Sequence, residues 1–457
     1  MLDRRLLARD TGVAPTTATK APRWTRAAGE NVVRWLVVVL GSSIPVSVVV
    51  DNILLAIIAG AWIFGGGYRE KIEGIRSNPV ALAAIALFAL YLAGTLYSIG
   101  SDSEVLVTVA KGARLLLIPM VIPLMRDVQW RRRGLAAFQG SMIVTLVISY
   151  LIWFGLMPPT VLLKGTQQDP VAFKAHITHN VFMAFTAFLL ALAAVDAGTR
   201  RARILLGLLC SAAVVNVLVM VPGRTGHIVF VVLFAYFLYR QLGAKGIAIA
   251  GVALGALAVV VFLSPDTMLH KRIMLADDEL QQWRAGGPID LKNSIGQRLE
   301  MLRNTIEVIR DNPILGVGTG GFGKAYADLA NRTGDTLTKN PHNEFLMIVA
   351  QFGLLGLVVL VCVFGTQWWA AARLPDRFDQ TAARALVITM VVASILSSTL
   401  VDHAEGIFFV YMSALLFAGY ASPLARRRAD SAISSPAASA RRRASGLAYP
   451  ANNSALI

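Results

Sequence analysis

Apolar residues in this chain gather into long runs, separated by short stretches of polar, charged or turn-forming residues. Because a helix needs ~20 residues to cross the hydrocarbon of a bilayer, the runs predict twelve spans. They lie at about 34–49, 53–67, 80–99, 105–125, 135–157, 177–195, 204–221, 226–239, 246–263, 343–366, 385–401 and 406–423. Only Val50, Asp51 and Asn52 divide the first two, and the eighth is short unless Gly226 and His227 already lie in the membrane. The expected organisation is a basic N-terminal segment 1–33, nine spans in 34–263, a large loop 264–342, three spans in 343–423 and a tail 424–457.

Composition agrees. Of 457 residues, 56% are hydrophobic and 15% charged, whereas a soluble domain carries about 25% charged residues. A cytosolic enzyme is thereby excluded. The net charge of +16 raises the question of nucleic acid, but its distribution answers otherwise. With a cytoplasmic N-terminus, 28 of the 43 Lys and Arg fall in cytoplasmic segments, and the short outer loops hold only Lys164, Lys174 and Arg224. That asymmetry follows the positive-inside rule and puts both termini in the cytoplasm. Cys210 and Cys362 both sit in apolar runs and imply no disulfide framework. More than thirty mostly polar residues precede the first run, so no cleavable signal peptide is expected. The Ala/Ser/Arg-rich tail, with Arg426–Arg428 and Arg441–Arg443, reads as disordered and drawn to anionic lipid.

The loop 264–342 carries the sharper signals. Ser294 and Gln297 form a capping-box pattern, followed by Ile295, Leu299, Leu302, Ile306 and Ile309 on one helical stripe that ends at Asp311-Asn312-Pro313. Arg298, Arg303, Glu307 and Arg310 share the other face. One reading is an amphipathic helix lying on the membrane with its charges in water; the other gives some of those charges work on a substrate. Next, Gly316, Gly318, Gly320 and Gly321 mimic a dinucleotide loop, but without the βαβ context that loop requires. A flexible turn that lets backbone approach a substrate is expected instead. The chain re-enters the membrane at Asn340-Pro341-His342-Asn343-Glu344, which puts His342 and Asn343 at a helix N-terminus on the outer rim.

On the same side, Arg224 and Thr225 stand between Gly223 and Gly226 at another helix start, where free N–H groups favour an anion. Arg224 either snorkels to lipid phosphates or binds such an anion, and the flanking glycines favour the second. Lys111 and Arg114 lie inside the fourth span. Intramembrane cations are costly and mark function by default, with Asp402 and Glu405 as candidate partners under the plainer reading. His176 and His179, with His403, could hold a metal, but no further ligand is specified, and no metal site or cofactor is expected.

Two permanent cations and an imidazole on one face suit transfer of a group from a phosphate leaving group to a hydroxyl. Guanidinium forks match departing phosphate oxygens, and imidazole takes the acceptor proton near neutral pH. No Asp-x-Asp element for a divalent cation occurs, so arginines would replace the metal.

Arg298, the string Asp311-Asn312-Pro313-Ile314-Leu315-Gly316-Val317-Gly318, then Pro341-His342-Asn343-Glu344-Phe345-Leu346 and Gln351-Phe352-Gly353-Leu354-Leu355-Gly356 resemble the signature of the O-antigen ligase/polymerase superfamily. Gly223-Arg224-Thr225-Gly226 is similar to that family's Arg-Thr-Gly element, with Gly223 where a small hydroxyl residue is usual. The resemblance implies an all-α, GT-C-like integral membrane protein of about twelve helices with one large periplasmic loop containing amphipathic helices. It implies a metal-independent, inverting glycosyltransferase of the bacterial inner membrane. An O-antigen ligase moves polysaccharide from undecaprenyl diphosphate to lipid A–core at the periplasmic face. His342 then corresponds to the base, and Arg224 and Arg298 to ligands of the donor diphosphate. Thr225, Arg303, Asn343, Lys111 and Arg114 are expected around the substrates, the last two from burial cost alone. Three other readings remain: a polymerase of the same superfamily, a protein O-oligosaccharyltransferase, and a polysaccharide or lipid transporter. Transporters favour internal repeats and midplane polar residues; here the polar residues gather on one rim.

Overall fold

A computed structural model describes residues 23–420, apart from 159, 161, 162, 164 and most of 264–293. The tail 424–457 and most of segment 1–33 lie outside the described residues, as do Lys164 and the first part of the large loop. In chain order the helices are α1 (Arg23–Ser43), α2 (Val48–Phe64), α3 (Tyr68–Arg76), α4 (Pro79–Ala93), α5 (Asp102–Ala113), α6 (Leu117–Val121), α7 (Val128–Trp153), α8 (His176–Val195), α9 (Arg200–Val215), α10 (Arg224–Leu242), α11 (Ala244–Leu263), α12 (Ser294–Asp311), α13 (Phe322–Thr333), α14 (Glu344–Ala371), α15 (Arg377–Leu396) and α16 (His403–Phe417).

Among the described residues, seven helices are long and apolar enough to cross a membrane, or eight if the bent pair α2–α3 is one span. The twelve expected runs are helical, but several are broken or short. The first two runs divide at Ile44–Val46, after which Ser47 caps α2. Asp51, expected between spans, instead lies buried in the first turn of α2 and accepts a hydrogen bond from Ser43 Oγ at 2.6 Å. Pro45 has no N–H to continue a helix, and a serine cap supplies the restart. The run 105–125 becomes α5, a tight turn over Arg114–Leu116, and the short α6. Between α2 and α3 the chain bends by 113° at Gly65–Gly67.

Local chemistry sets the starts. Asn78 caps α4 with Pro79 at its first position, and Ser101 with Glu104 forms a capping box on α5. The centre of the bundle is α16, buried around its whole circumference, as a helix apolar on every side beyond its first turn should be. Phe408 lies 4.7 Å from Phe182 and 5.3 Å from Phe185, ring centre to ring centre. At 15 residues α16 is ~22 Å long, shorter than the ~30 Å hydrocarbon core. The loop 397–402 that precedes it makes up part of the difference, and that loop meets the turn before α14.

The loop helix α12 packs opposite to its apolar pattern. Glu300, Asn304, Thr305 and Val308 are buried, whereas Leu302, on the expected stripe, is 38% exposed. The buried polar groups are satisfied. Glu300 Oε1 accepts from Thr336 N at 2.8 Å, and Asn304 Nδ2 donates to Asp335 Oδ2 at 2.9 Å. Val308 joins a small core with Phe322, Tyr326 and Met347. The side chains of Ser294 and Ile295 lie outside the described set.

Asp335 is the hub of that packing. Burial works to raise its carboxyl, but hydrogen bonds from Thr333 and Asn304, together with Arg303, outweigh burial and hold it below the usual value. The contribution is thus full at neutral pH and fades only as acid reaches the lowered folded value. Asp335→Asn is expected to cost about 1–3 kcal/mol. Earlier protease cleavage of α12–α13 in the variant would show it; unchanged cleavage would count against this hub.

Candidate active site

The segment Asn340–Glu344 is fastened to the end of α15 and the loop that follows it. Ser398 Oγ donates to Asn340 Oδ1 at 2.6 Å, Asn343 Nδ2 donates to Ile395 O at 2.9 Å, and Leu400 N donates to the fully buried Glu344 Oε2 at 2.8 Å. Asn343 also caps α14 by accepting from Leu346 N. Within this frame His342 is the one non-glycine residue with positive φ among the described residues, at 52°, and its N–H donates to Asn340 Oδ1 at 2.8 Å. Such a conformation costs ~1–3 kcal/mol and persists only where its surroundings over-determine it. Here the surroundings present an exposed imidazole at the rim.

The electrostatics join residues distant in sequence. Burial, and then the positive charge of Arg298, hold the His342 imidazole below its ordinary pKa, with Asp402 acting in the opposite direction. Arg298 is itself pushed down by burial and by Arg224. Arg224, Arg298 and His342 thus form one neighbourhood drawn from α10, α12 and the turn before α14. Two like charges within electrostatic reach of each other favour an anion nearby, and an imidazole coupled to them can accept a proton. Asp402 lies within electrostatic reach of His342, Lys111 and Arg114. Arg114 Nη1 also donates to Asp402 O at 3.5 Å.

The other expected site residues have different surroundings. Arg303 is engaged by Asp335 at 2.9 Å and works within the loop; a carboxylate hub 32 residues further along the chain claims its guanidinium. Asn343 uses both ends of its amide in the frame of α14. Thr225 is buried inside the bundle. The glycines around Arg224 serve packing: a Cβ on Gly223 would lie 2.6 Å from His176 O, and one on Gly226 would lie 2.2 Å from Asn180 Cβ. The start of α10 is pressed against α8 and held there by Asn180, whose Nδ2 reaches Val221 O at 3.0 Å and Gly223 O at 3.1 Å. His176 and His179 also part ways. His176 Nδ1 lies 3.4 Å from Asp169 Oδ2, and His179 Nε2 lies 2.9 Å from Asn216 Oδ1. Among the described residues no group of three or more His, Cys, Asp or Glu could hold a metal.

The glycine loop 316–320 is a fixed wedge, not a flexible turn. Val317 N and Gly318 N donate to Ala350 O and Gln351 O, Thr319 N donates to Gly94 O, and Gly320 N donates to Gln351 Oε1 at 2.7 Å. The backbone approach that glycine permits is toward α14, the turn after α4 and the start of α5. Asn180 and Ser398 hold this frame yet are silent in the sequence, because an amide or hydroxyl that positions backbone leaves no charge or periodic signal; Asn340 and Gln351 stand in recognisable motifs, but nothing there tells what they hold.

A multi-pass helical membrane protein in which two arginines and a histidine from distant segments are electrostatically coupled is the class that fold and site define. Residues 208–361, which contain all three, match the family model described as O-antigen ligase. That match bears out the resemblance to the O-antigen ligase/polymerase superfamily, whose members are glycosyltransferase-like membrane enzymes. A search of curated protein sequences returns no match. Among solved structures, the chain is similar to one described as "Structural coordination of polymerization and crosslinking by a peptidoglycan synthase complex". The identity is 14% and the TM-score 0.43, over 74% of this chain and 94% of that chain.

Proposed function

We propose that this protein is an O-antigen ligase of the bacterial inner membrane. It transfers polysaccharide from undecaprenyl diphosphate to lipid A–core at the periplasmic face, with both its termini in the cytoplasm. The observation that carries the reading is the convergence of Arg224, Arg298 and His342 from three separate elements. In the reaction, a hydroxyl of the acceptor sugar attacks the anomeric carbon of the donor as His342 takes its proton. The bond from that carbon to the diphosphate oxygen breaks, configuration inverts, and undecaprenyl diphosphate leaves. Arg224 and Arg298 neutralise the growing charge on the leaving group, the work a metal ion performs in other transferases. Preformed guanidinia are worth most where water is scarce, as it is once the bound substrates cover the rim.

The test is transfer by purified protein in detergent or nanodiscs, with undecaprenyl-diphosphate-linked glycan, lipid A–core and EDTA. Glycan appearing on lipid A–core supports the reading. Growth of glycan on the carrier lipid would instead favour a polymerase, and no product with either acceptor would overturn both. Arg224→Lys keeps the charge but loses the fork, and should lower transfer about 10–100-fold if recognition is bidentate. Unchanged activity in that variant would assign Arg224 to lipid snorkelling.

A further inference from the structure

Between α2 and the α5–α6 segment lies a cleft of ≈ 480 Å³. Its walls are apolar, among them Leu55, Ala59, Val107 and Met120, and the residues around it that face outward are apolar too: Ile53, Ile57 and Leu106 are all exposed. Two cations interrupt this lining, Lys111 and Arg114. The same two side chains also wall a small inner cavity with Tyr91 and Leu400. They therefore stand at the partition between the cleft and the loop that fastens the His342 segment, the loop in which Leu400 N binds Glu344.

Neither cation forms an ion pair within 4.0 Å among the described residues. Asp402 and Glu344 are within electrostatic reach, but Glu344 already serves Leu400 N, and Arg114 meets the carbonyl oxygen of Asp402, not its carboxylate. Two half-buried cations without a bonded counter-ion, set in an apolar wall, complement a ligand with apolar chains and an anionic head. Arg114 touches Asp402, which lies within electrostatic reach of His342, and both cations share the inner cavity with Leu400, whose N–H holds Glu344 two residues beyond His342. The inner wall of the cleft thus borders the loop that holds the His342 segment.

We infer that this cleft is the acceptor site, where a phosphorylated glycolipid lays its acyl chains along α2 and α5, sets a phosphate against Lys111 and Arg114, and carries its sugar hydroxyl past Asp402 to His342. The inference rests on the proposed transfer reaction and adds a separate approach for the second substrate. Donor and acceptor, both lipid-anchored, then never compete for one groove.

Two measurements test it. In the double variant Lys111→Gln, Arg114→Gln, the KM for lipid A–core should rise about tenfold or more, while the KM for the lipid-linked donor stays within about twofold. An unchanged acceptor KM, or equal rises in both constants, overturns the assignment. Independently, a photo-crosslinking residue at Ala59, with both cations intact, should capture lipid A–core from nanodiscs in preference to anionic phospholipid. Capture of phospholipid alone overturns it, because the cations would then serve only the bilayer. If the unaltered protein transfers nothing, the reaction reading fails, and the crosslink still decides what the cleft holds.

Discussion

Replacing His342 by alanine is expected to lower transfer about 10²–10⁴-fold, the usual worth of a positioned general base. Alanine also tolerates a positive φ poorly, so a companion variant is needed to separate chemistry from strain. Asparagine adopts the left-handed region more readily but accepts no proton at neutral pH. His342→Asn should therefore be as inactive as His342→Ala, while the protein stays folded. Full activity in the asparagine variant would leave His342 as an orienting group only. The pH profile gives a second handle. Transfer needs the neutral imidazole, which is fully present above its pKa and lost as pH falls through it. Since burial and Arg298 hold that pKa below 6.5, the acid limb of the rate profile should fall below that value. Arg298→Gln removes a like charge and should move the limb to higher pH, on whatever activity remains. Asp402→Asn removes an opposite charge and should move it lower. An acid limb that ignores both changes would mean another group titrates.

Gly353→Ala should damage the fold more than any other single-methyl change in the region. Gly353 has φ 60° in the middle of α14, and a Cβ there would sit 2.1 Å from the backbone carbon and oxygen of Ile314. Left-handed backbone alone costs a non-glycine residue about 1–2 kcal/mol, and a clash with main chain has no rotamer to relieve it. A loss above about 3 kcal/mol is a large share of a typical margin of about 5–15 kcal/mol. The variant should unfold many degrees lower, or fail to accumulate, in a fluorescence melt of the detergent-solubilised protein. Gly140→Ala, where a Cβ meets nothing within 4 Å, is the matched control and should melt at or above the parent. Equal midpoints for the two variants would refute the wedge. The break at Gly353 is not incidental. There α14 releases Leu354 N to Pro313 O, and nearby Gln351 O takes Gly318 N, so the loop 313–320 is seated in the interruption. That seating orders the chain between α12, which carries Arg298, and α14, which His342 precedes.

Hydropathy was enough to establish an all-helical membrane protein with a polar rim, because hydrocarbon admits no unsatisfied backbone and so forces long apolar helices into view. The charged residues of the proposed site were legible for a related reason. Arg224, Arg298 and His342 stand out in a chain where a charge near the membrane is costly and needs an explanation. Contacts between distant segments settled the rest. Apolar periodicity marked Leu299, Leu302 and Ile306 as one stripe of α12, read as lying on the membrane, but gave no sign that Glu300 and Asn304 turn inward, where Thr336 and Asp335, some thirty residues away, satisfy them. Glycines around Arg224 and in the 316–320 loop signalled close approach but not to what; α8 and α14 supply the answer. The left-handed His342 and its anchors Asn340 and Ser398 follow no apolar period, so nothing along the chain announces that backbone turn or its fastening. The tendency of a residue to enter a bilayer is a property of that residue and its neighbours in sequence. Which polar group meets which, and at what angle the imidazole stands, depends on elements that only folding brings together.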